Sequence, residues 1–319
     1  MNTFFLDRLN SEPHALAFAG QSTPWPVALA DQSANPALDE ALHTHAAAAQ
    51  ALLYPVSAEL LATTGRPVDL FGFEPNPARL GAAAAASASV PGIALTQLGA
   101  LLDAAALGYN PAQAKPVAVL GHSQGVLAVH MVQAICEAGS IDAAAAKIDE
   151  ILAIATLIGV AGTRQARQLG LAARHGEATP MLSVKDITRA QVDALIERVD
   201  GARGPIAVAV TNSATHYVLS GYPEDLAAFG VEVAKEHKRQ AKLREEKVRG
   251  GRVFDPTLEY LDVTLPFHSP LMADAVSQAV AWAEACGINA DHARELAAEV
   301  LLNHVDWACL LYTSPSPRD

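Results

Sequence analysis

The chain is poor in cysteine. Its 319 residues include three, Cys136, Cys286 and Cys309. They are odd in number and far apart, so neither a disulfide framework nor a metal site is expected, and a reducing, cytoplasmic setting suits the chain. Basic residues are scarce too: 22 Lys and Arg against 34 Asp and Glu leave a net charge of −12. That balance argues against nucleic acid as a partner. No apolar run reaches the roughly 18 residues needed to span a bilayer. The nearest, ILAIATLIGVAG at 151–162, is too short and contains Thr156. Asp7, Arg8 and Glu12 stand where a secretory leader would be apolar, so neither membrane nor export is expected. What is abundant is apolar side chain, 51% against 18% charged, enough for a sizeable core. The length suggests two domains, or one large domain carrying an insertion.

Short apolar runs alternate with longer helical patterns. ALAFAG (15–20) and PVAVL (116–120) read as buried strands, each stopped by glycine; 35–53, 93–107, 125–138 and 142–158 read as helices. GAAAAASASV (81–90) is low in complexity and reads as loop or helix. This βα alternation predicts an α/β fold, a hydrolase-like parallel sheet with helices on both faces. Beyond residue 177 the texture changes. MLSV (181–184), PIAVAV (205–210), HYVLSG (216–221) and VTLPF (263–267) read as strands, with helices over 188–199 and from about Pro223 to Arg244. The start TRAQ fits a capping box at Thr188. The order β-α-β-β-α-β predicts an inserted ferredoxin-like subdomain over 178–262, with 1–177 and 263–308 forming the core. CLLYTSPSPRD (309–319) reads as a non-native, adapter-derived tail in preference to an ordinary disordered terminus. The native chain is therefore expected to continue past Ala308.

The sharpest motif is GHSQG at 121–125, between the strand PVAVL and the helix VLAVHMVQAI. A tight strand-to-helix turn needs glycine on both sides and leaves the Ser123 hydroxyl at a helix N-terminus, where amides can hold an oxyanion. A serine nucleophile needs a base. His14, His43, His45, His175 and His237 read as solvated, and His122 as turned away from the serine. His268 follows VTLPF directly, which would put it on the sheet edge that carries the turn.

FAGQ (18–21), GHSQG (121–125), TNSATHYVLSG (211–221) and PFHSPLM (266–272) come in the order found in acyl-CoA:acyl-carrier-protein transacylases. With LIGVAGT (157–163), KVRGG-VF (247–254) and VDW (305–307), the chain most resembles the N-terminal acetyltransferase domain of bacterial type I fatty acid synthases over about residues 10–307. The resemblance implies a serine ester on Ser123, with His268 as base. It implies an oxyanion hole from Gln21 and the backbone N–H of Gln124, and substrate contacts from Asn212, His122 and Phe267. In LLNHVDW a backbone carbonyl, of Asn303 or His304, would orient the imidazole in place of an acid. Ser22 departs from the glycine common at that place in the family.

The resemblance further implies acyl-CoA as donor and the phosphopantetheine of an acyl carrier protein as acceptor, further synthase domains as partners, and no permanently bound cofactor or metal. Malonyl-selective relatives place an arginine in the helix after the elbow helix. Here 151–160 holds no cation, Lys147 lies before it and Arg164 beyond, which favours acetyl over malonyl. The basic stretch 235–252, with eight cations, could meet coenzyme A phosphates or a carrier protein, or be a solvated helix face. Two other functions compete: an α/β-hydrolase, which would need an acid between Ser123 and His268 in chain order, and an inert fragment.

Overall fold

The computed structural model describes residues 8–21, 24–70, 85–171, 178–199, 201–245 and 254–306. Its contacts divide the chain into two units: Met1–Arg164 with Asp274–Val300, and Gln165–Ala273 with Leu301–Asp319. The stretch 178–262 lies within the second.

The first unit begins with β1 (Ala15–Phe18), followed by helices α1 (Trp25–Ser33), α2 (Pro36–Leu52), α3 (Ser57–Thr64) and α4 (Ala86–Ala106). Asn35 starts α2: its side chain accepts from Ala37 N, and Pro36 occupies the first turn, where no donor is needed. Leu38, Leu42, Ala46 and Ala49 then fall on one buried face at helical spacing. Helix α4 starts earlier than the expected residue 93, running through Pro91 and Gly92. The Trp25 ring lies where a Gly92 side chain would be, so packing overrides the local breakers. By length and composition α4 could cross a membrane, but 72% of its apolar window is buried, as in a core helix.

Strand β2 (Ala118–Gly121) pairs in parallel with β1, Phe18 opposite Gly121. Helix α5 (Val126–Ala138) follows, then α6 (Ala145–Gln168), ten residues longer than expected at its C-terminal end and buried from Ile151 to Leu157.

In the second unit come β3 (Met181–Lys185), α7 (Arg189–Ile196), β4 (Ala207–Ser213), β5 (His216–Ser220), α8 (Pro223–Glu245) and β6 (Thr257–Tyr260). The expected capping box forms: Thr188 accepts from Gln191 N, and the Gln191 side chain accepts from Thr188 N at 2.9 Å. Helices α9 (Ala273–Ala285) and α10 (Ala290–Leu301) follow in the chain and belong to the first unit apart from their end residues Ala273 and Leu301, and β7 (Val305–Asp306), in the second unit, ends the described chain. The sheet order is β6-β3-β5-β4-β7, antiparallel except for the parallel β4–β7 pair. Its first four strands have the ferredoxin-like order. Leu182, Val184, Leu219, Leu226 and Phe229 lead the core that the sheet shares with α7 and α8.

One expected strand is absent. VTLPF (263–267) is irregular, and the fourth ferredoxin-like strand is β6 instead. Val263 N turns back onto Leu261 O at 2.8 Å, and Pro266 has no N–H to give a ladder. The run is apolar because Val263, Leu265 and Phe267 are buried. Among the described residues, parallel pairing is confined to β1–β2 and β4–β7.

Buried Glu236 ties α8 to the end of α7. It accepts from Arg239 Nη2 at 2.6 Å, Gln240 Nε2 at 2.7 Å and Arg198 Nη1 at 3.0 Å. Arg239 foremost, with Gln240 and Arg198, holds its carboxyl at about 2, below the usual 4.5. A depressed carboxylate pKa contributes stability that is present above the unfolded value and lost as pH falls through the folded one. Glu236→Gln is therefore expected to destabilise the protein at pH 7 by on the order of 2 kcal/mol, discounted because both arginines are half-exposed. Urea unfolding should show the gap closing between pH 4.5 and 2.

Candidate active site

Ser123 sits where β2 turns into α5, in a single 3-10 turn over Ser123–Gly125 that runs straight into the helix. Its φ is +54°, left-handed for a residue that is not glycine, a conformation that costs energy and persists only where surroundings enforce it. The enforcement is close packing. A β-carbon on Gly125 would overlap the Phe18 carbonyl oxygen. One on Gly20 would lie 2.7 Å from His122 O and 3.1 Å from Ser123 Cβ. His122 N also donates to Phe18 O at 2.9 Å. The FAG segment is thus pressed against the back of the turn, and the two motifs require each other's glycines.

Helix α4 braces this corner with side-chain amides. Gln124 is 1% exposed, and its Nε2 donates to Val90 O at 2.7 Å and Ser89 O at 3.2 Å. Gln97 Nε2 donates to Ala19 O at 2.7 Å, and Gln21 Nε2 to Ser89 Oγ at 2.6 Å. The Gln21 side chain thus ties the end of the FAGQ segment to α4 and keeps one amide N–H beyond the bond to Ser89. Ser123 itself is half-buried at the start of α5, where helical N–H groups favour negative charge. Such a hydroxyl can be acylated. Residue 22 lies outside the described residues.

The second unit holds the other group. His268 is 2% exposed, with φ +56°. Its Nδ1 lies 2.8 Å from Asn303 O. A carbonyl only accepts, so Nδ1 carries the proton and Nε2 keeps a lone pair, the tautomer that can act as a base. Ser269 N donates to Leu301 O at 3.3 Å, fixing the chain on the other side of the ring. Buried Phe267 lies beside it, ring centroids 6.5 Å apart. His304 is exposed and faces elsewhere: its Nδ1 donates to Val208 O at 2.7 Å, and its Nε2 lies 3.2 Å from Thr211 Oγ1. Asn212 is half-buried where the β4–β5 register shifts between Thr211 and Ser213, an irregularity of the kind that re-aims side chains.

Ser123, Gln124, His122 and Gln21 thus gather at one corner of the first unit, and His268, Phe267 and Asn303 form a cluster in the second. His268 follows an irregular segment, not the end of a sheet strand as its position after VTLPF suggested. Two of the histidines read as solvated are partly buried: His14 Nε2 lies 2.8 Å from Tyr109 Oη, and His45 Nδ1 2.6 Å from Asp149 Oδ1. His175 and the tail 309–319 lie outside the described residues. Sequence reasoning passed over His130 and His292, whose rings meet with centroids 5.4 Å apart. Burial foremost holds His292 below the usual imidazole range, while Glu150 opposes the shift. Only their helical phases on α5 and α10 could have suggested the meeting.

The model of the fatty acid synthase central AT domain matches residues 180–260. The fatty acid synthase beta subunit of Schizosaccharomyces pombe is 27% identical over 209 residues, covering 59% of this chain and 10% of that protein. The chain thus spans about a tenth or less of the curated relatives it matches. MCAT of Mycobacterium tuberculosis superimposes with a TM-score of 0.56 at 20% identity, covering 94% of this chain and 85% of that one. A malonyl-transacylase solved with its type II polyketide synthase acyl-carrier protein, PlMCAT:AntF, gives 0.55 at 17%, covering 93% and 83%.

Proposed function

We propose that this chain is an acyl-CoA:acyl-carrier-protein transacylase, a reading supported by its similarity to the fatty acid synthase central AT domain, and that it moves an acetyl group from coenzyme A to the phosphopantetheine thiol of an acyl carrier protein in fatty acid synthesis. The observation that carries the reading is the left-handed Ser123 at the start of α5, wedged against Gly20. His268 Nε2 takes the Ser123 proton as Oγ attacks the thioester carbonyl. The oxyanion is held by Gln21 and the backbone N–H of Gln124. The intermediate collapses to a serine ester, and His268 returns the proton to the departing thiolate of coenzyme A. The carrier thiol then attacks the ester, giving its proton to His268, which passes it to Ser123 Oγ. Asn303 O keeps the imidazole in the tautomer that both half-reactions need. Asn212, His122 and Phe267 contact the substrate. No bound cofactor takes part, further synthase domains neighbour this one, and the setting is the cytoplasm.

Acetyl is favoured by what surrounds α6. Residues 148–163 contain no cation, and both flanking cations are engaged. Lys147 Nζ lies 2.6 Å from Glu150 Oε1, and Arg164 Nη1 donates to Gln278 Oε1 at 2.7 Å with its guanidinium over the Trp282 ring. A malonyl carboxylate taken from water without a partner costs roughly 3–5 kcal/mol. A hydrolase reading is disfavoured because the partner of His268 Nδ1 is a carbonyl and not a carboxylate. On α8, Lys235 and Arg239 are paired with Glu232 and Glu236, which favours a solvated face there.

Intact-mass measurement after incubation with acetyl-CoA or malonyl-CoA tests the assignment. An acetyl adduct at least about tenfold more abundant than malonyl is expected, a modest fraction of the carboxylate penalty. Equal malonyl labelling removes the specificity; no adduct from either removes the reaction.

A further inference from the structure

Away from the Ser123 corner, α5 and α10 bring together donors that the acyl-transfer chemistry does not use. His130, seven residues after Ser123, offers a ring nitrogen, and Glu295 and Glu299 each a carboxylate oxygen, all three atoms within 4.8 Å of one another. All three residues lie in the first unit. We propose that His130, Glu295 and Glu299 bind a divalent first-row transition cation, Zn2+ or a close analogue, that clasps α5 to α10.

Three observations support the site. Glu295 and Glu299 are four residues apart on one helix face, where like charges repel and weaken the helix; a cation turns that repulsion into ligation. Glu299 is 35% exposed as a side chain, but its Oε2 is shielded from solvent, pairs with His130 Nε2 at 3.5 Å and accepts no hydrogen bond, which leaves that oxygen room for a closer positive partner. Beside them His292 packs on His130, with Nδ1 3.1 Å from Glu150 Oε1 and 3.0 Å from Lys147 Nζ. Those partners hold the neighbouring ring in place and brace the imidazole that ligates.

The donor set selects the ion. One imidazole with two carboxylates suits zinc and its neighbours, whereas magnesium prefers an all-oxygen, largely hydrated shell. Three protein ligands leave a fourth position for water. Glu295 is exposed, which gives the ion an entry path. Because the ion would bind the folded state alone, it would raise the melting temperature.

Calorimetric titration of the full chain with Zn2+, after chelator treatment and dialysis, tests this, with Co2+ absorption as a second readout. One Zn2+ per chain is expected, with a higher melting temperature and no response to Mg2+. Glu295→Gln, at an exposed position that leaves packing intact, and His130→Gln should each weaken binding at least tenfold, since losing even an outer partner of a metal ligand typically costs 10–100-fold. The Co2+ spectrum should change in both variants. Zn2+ binding unchanged in Glu295→Gln and His130→Gln would place the ion elsewhere and overturn the proposal. So would absence of binding to the wild type, which would leave His130–Glu299 an ordinary ion pair. Acyl labelling of Ser123 provides a separate readout, so a failure here and a failure of the transferase reading are distinguishable.

Discussion

Ser123→Ala is expected to eliminate the acyl adduct and to reduce transfer to the carrier thiol by on the order of 10^4-fold or more, the scale seen when a serine nucleophile is removed. The fold should survive. Alanine keeps the β-carbon, so the left-handed turn at φ +54° keeps its packing against Gly20, and neither glycine that abuts the elbow is touched. The measurement is intact mass with acetyl-CoA beside far-ultraviolet circular dichroism. A variant that is folded and still labelled to the wild-type extent would show that the ester forms on another side chain.

His268→Asn is expected to cost about 10^2–10^4-fold in transfer, the usual contribution of a positioned general base, with little loss of fold. Asparagine is the informative substitution for two reasons. It tolerates the φ of +56° better than most residues, and its amide N–H can replace Nδ1–H in donating to Asn303 O. It has no counterpart of Nε2. Single-turnover acylation by acetyl-CoA should slow in step with overall transfer, because the first half-reaction already needs the base. Acylation at the wild-type rate with the carrier step alone impaired would assign His268 to the acceptor half-reaction only. Unchanged rates in both steps would remove it from the mechanism.

Features governed by neighbours in the chain were legible. GHSQG lies between a strand and a helix because glycine alone can pass so close to the Phe18 backbone. The Thr188 cap follows from two side chains three residues apart. The β-α-β-β-α-β order followed from alternating periodicities, although its last strand is Thr257–Tyr260 and not 263–267. That error has a physical cause. An apolar run records burial, and burial without a ladder partner looks the same in sequence as a strand.

By itself, then, the sequence determined the elbow, the helical caps and the alternation of elements, because each depends on sterics and hydrogen bonds within a few residues. Tertiary structure alone decided the rest. Which carbonyl accepts the hydrogen bond from His268 Nδ1 depends on a residue 35 positions away. Whether α4 runs through Pro91 depends on the Trp25 ring packed at Gly92. Whether His130 meets Glu295 and Glu299 depends on how two helices distant in the chain are brought together. Periodicity tells which face of an element is buried; what it is buried against is settled only when remote segments compete for the same space.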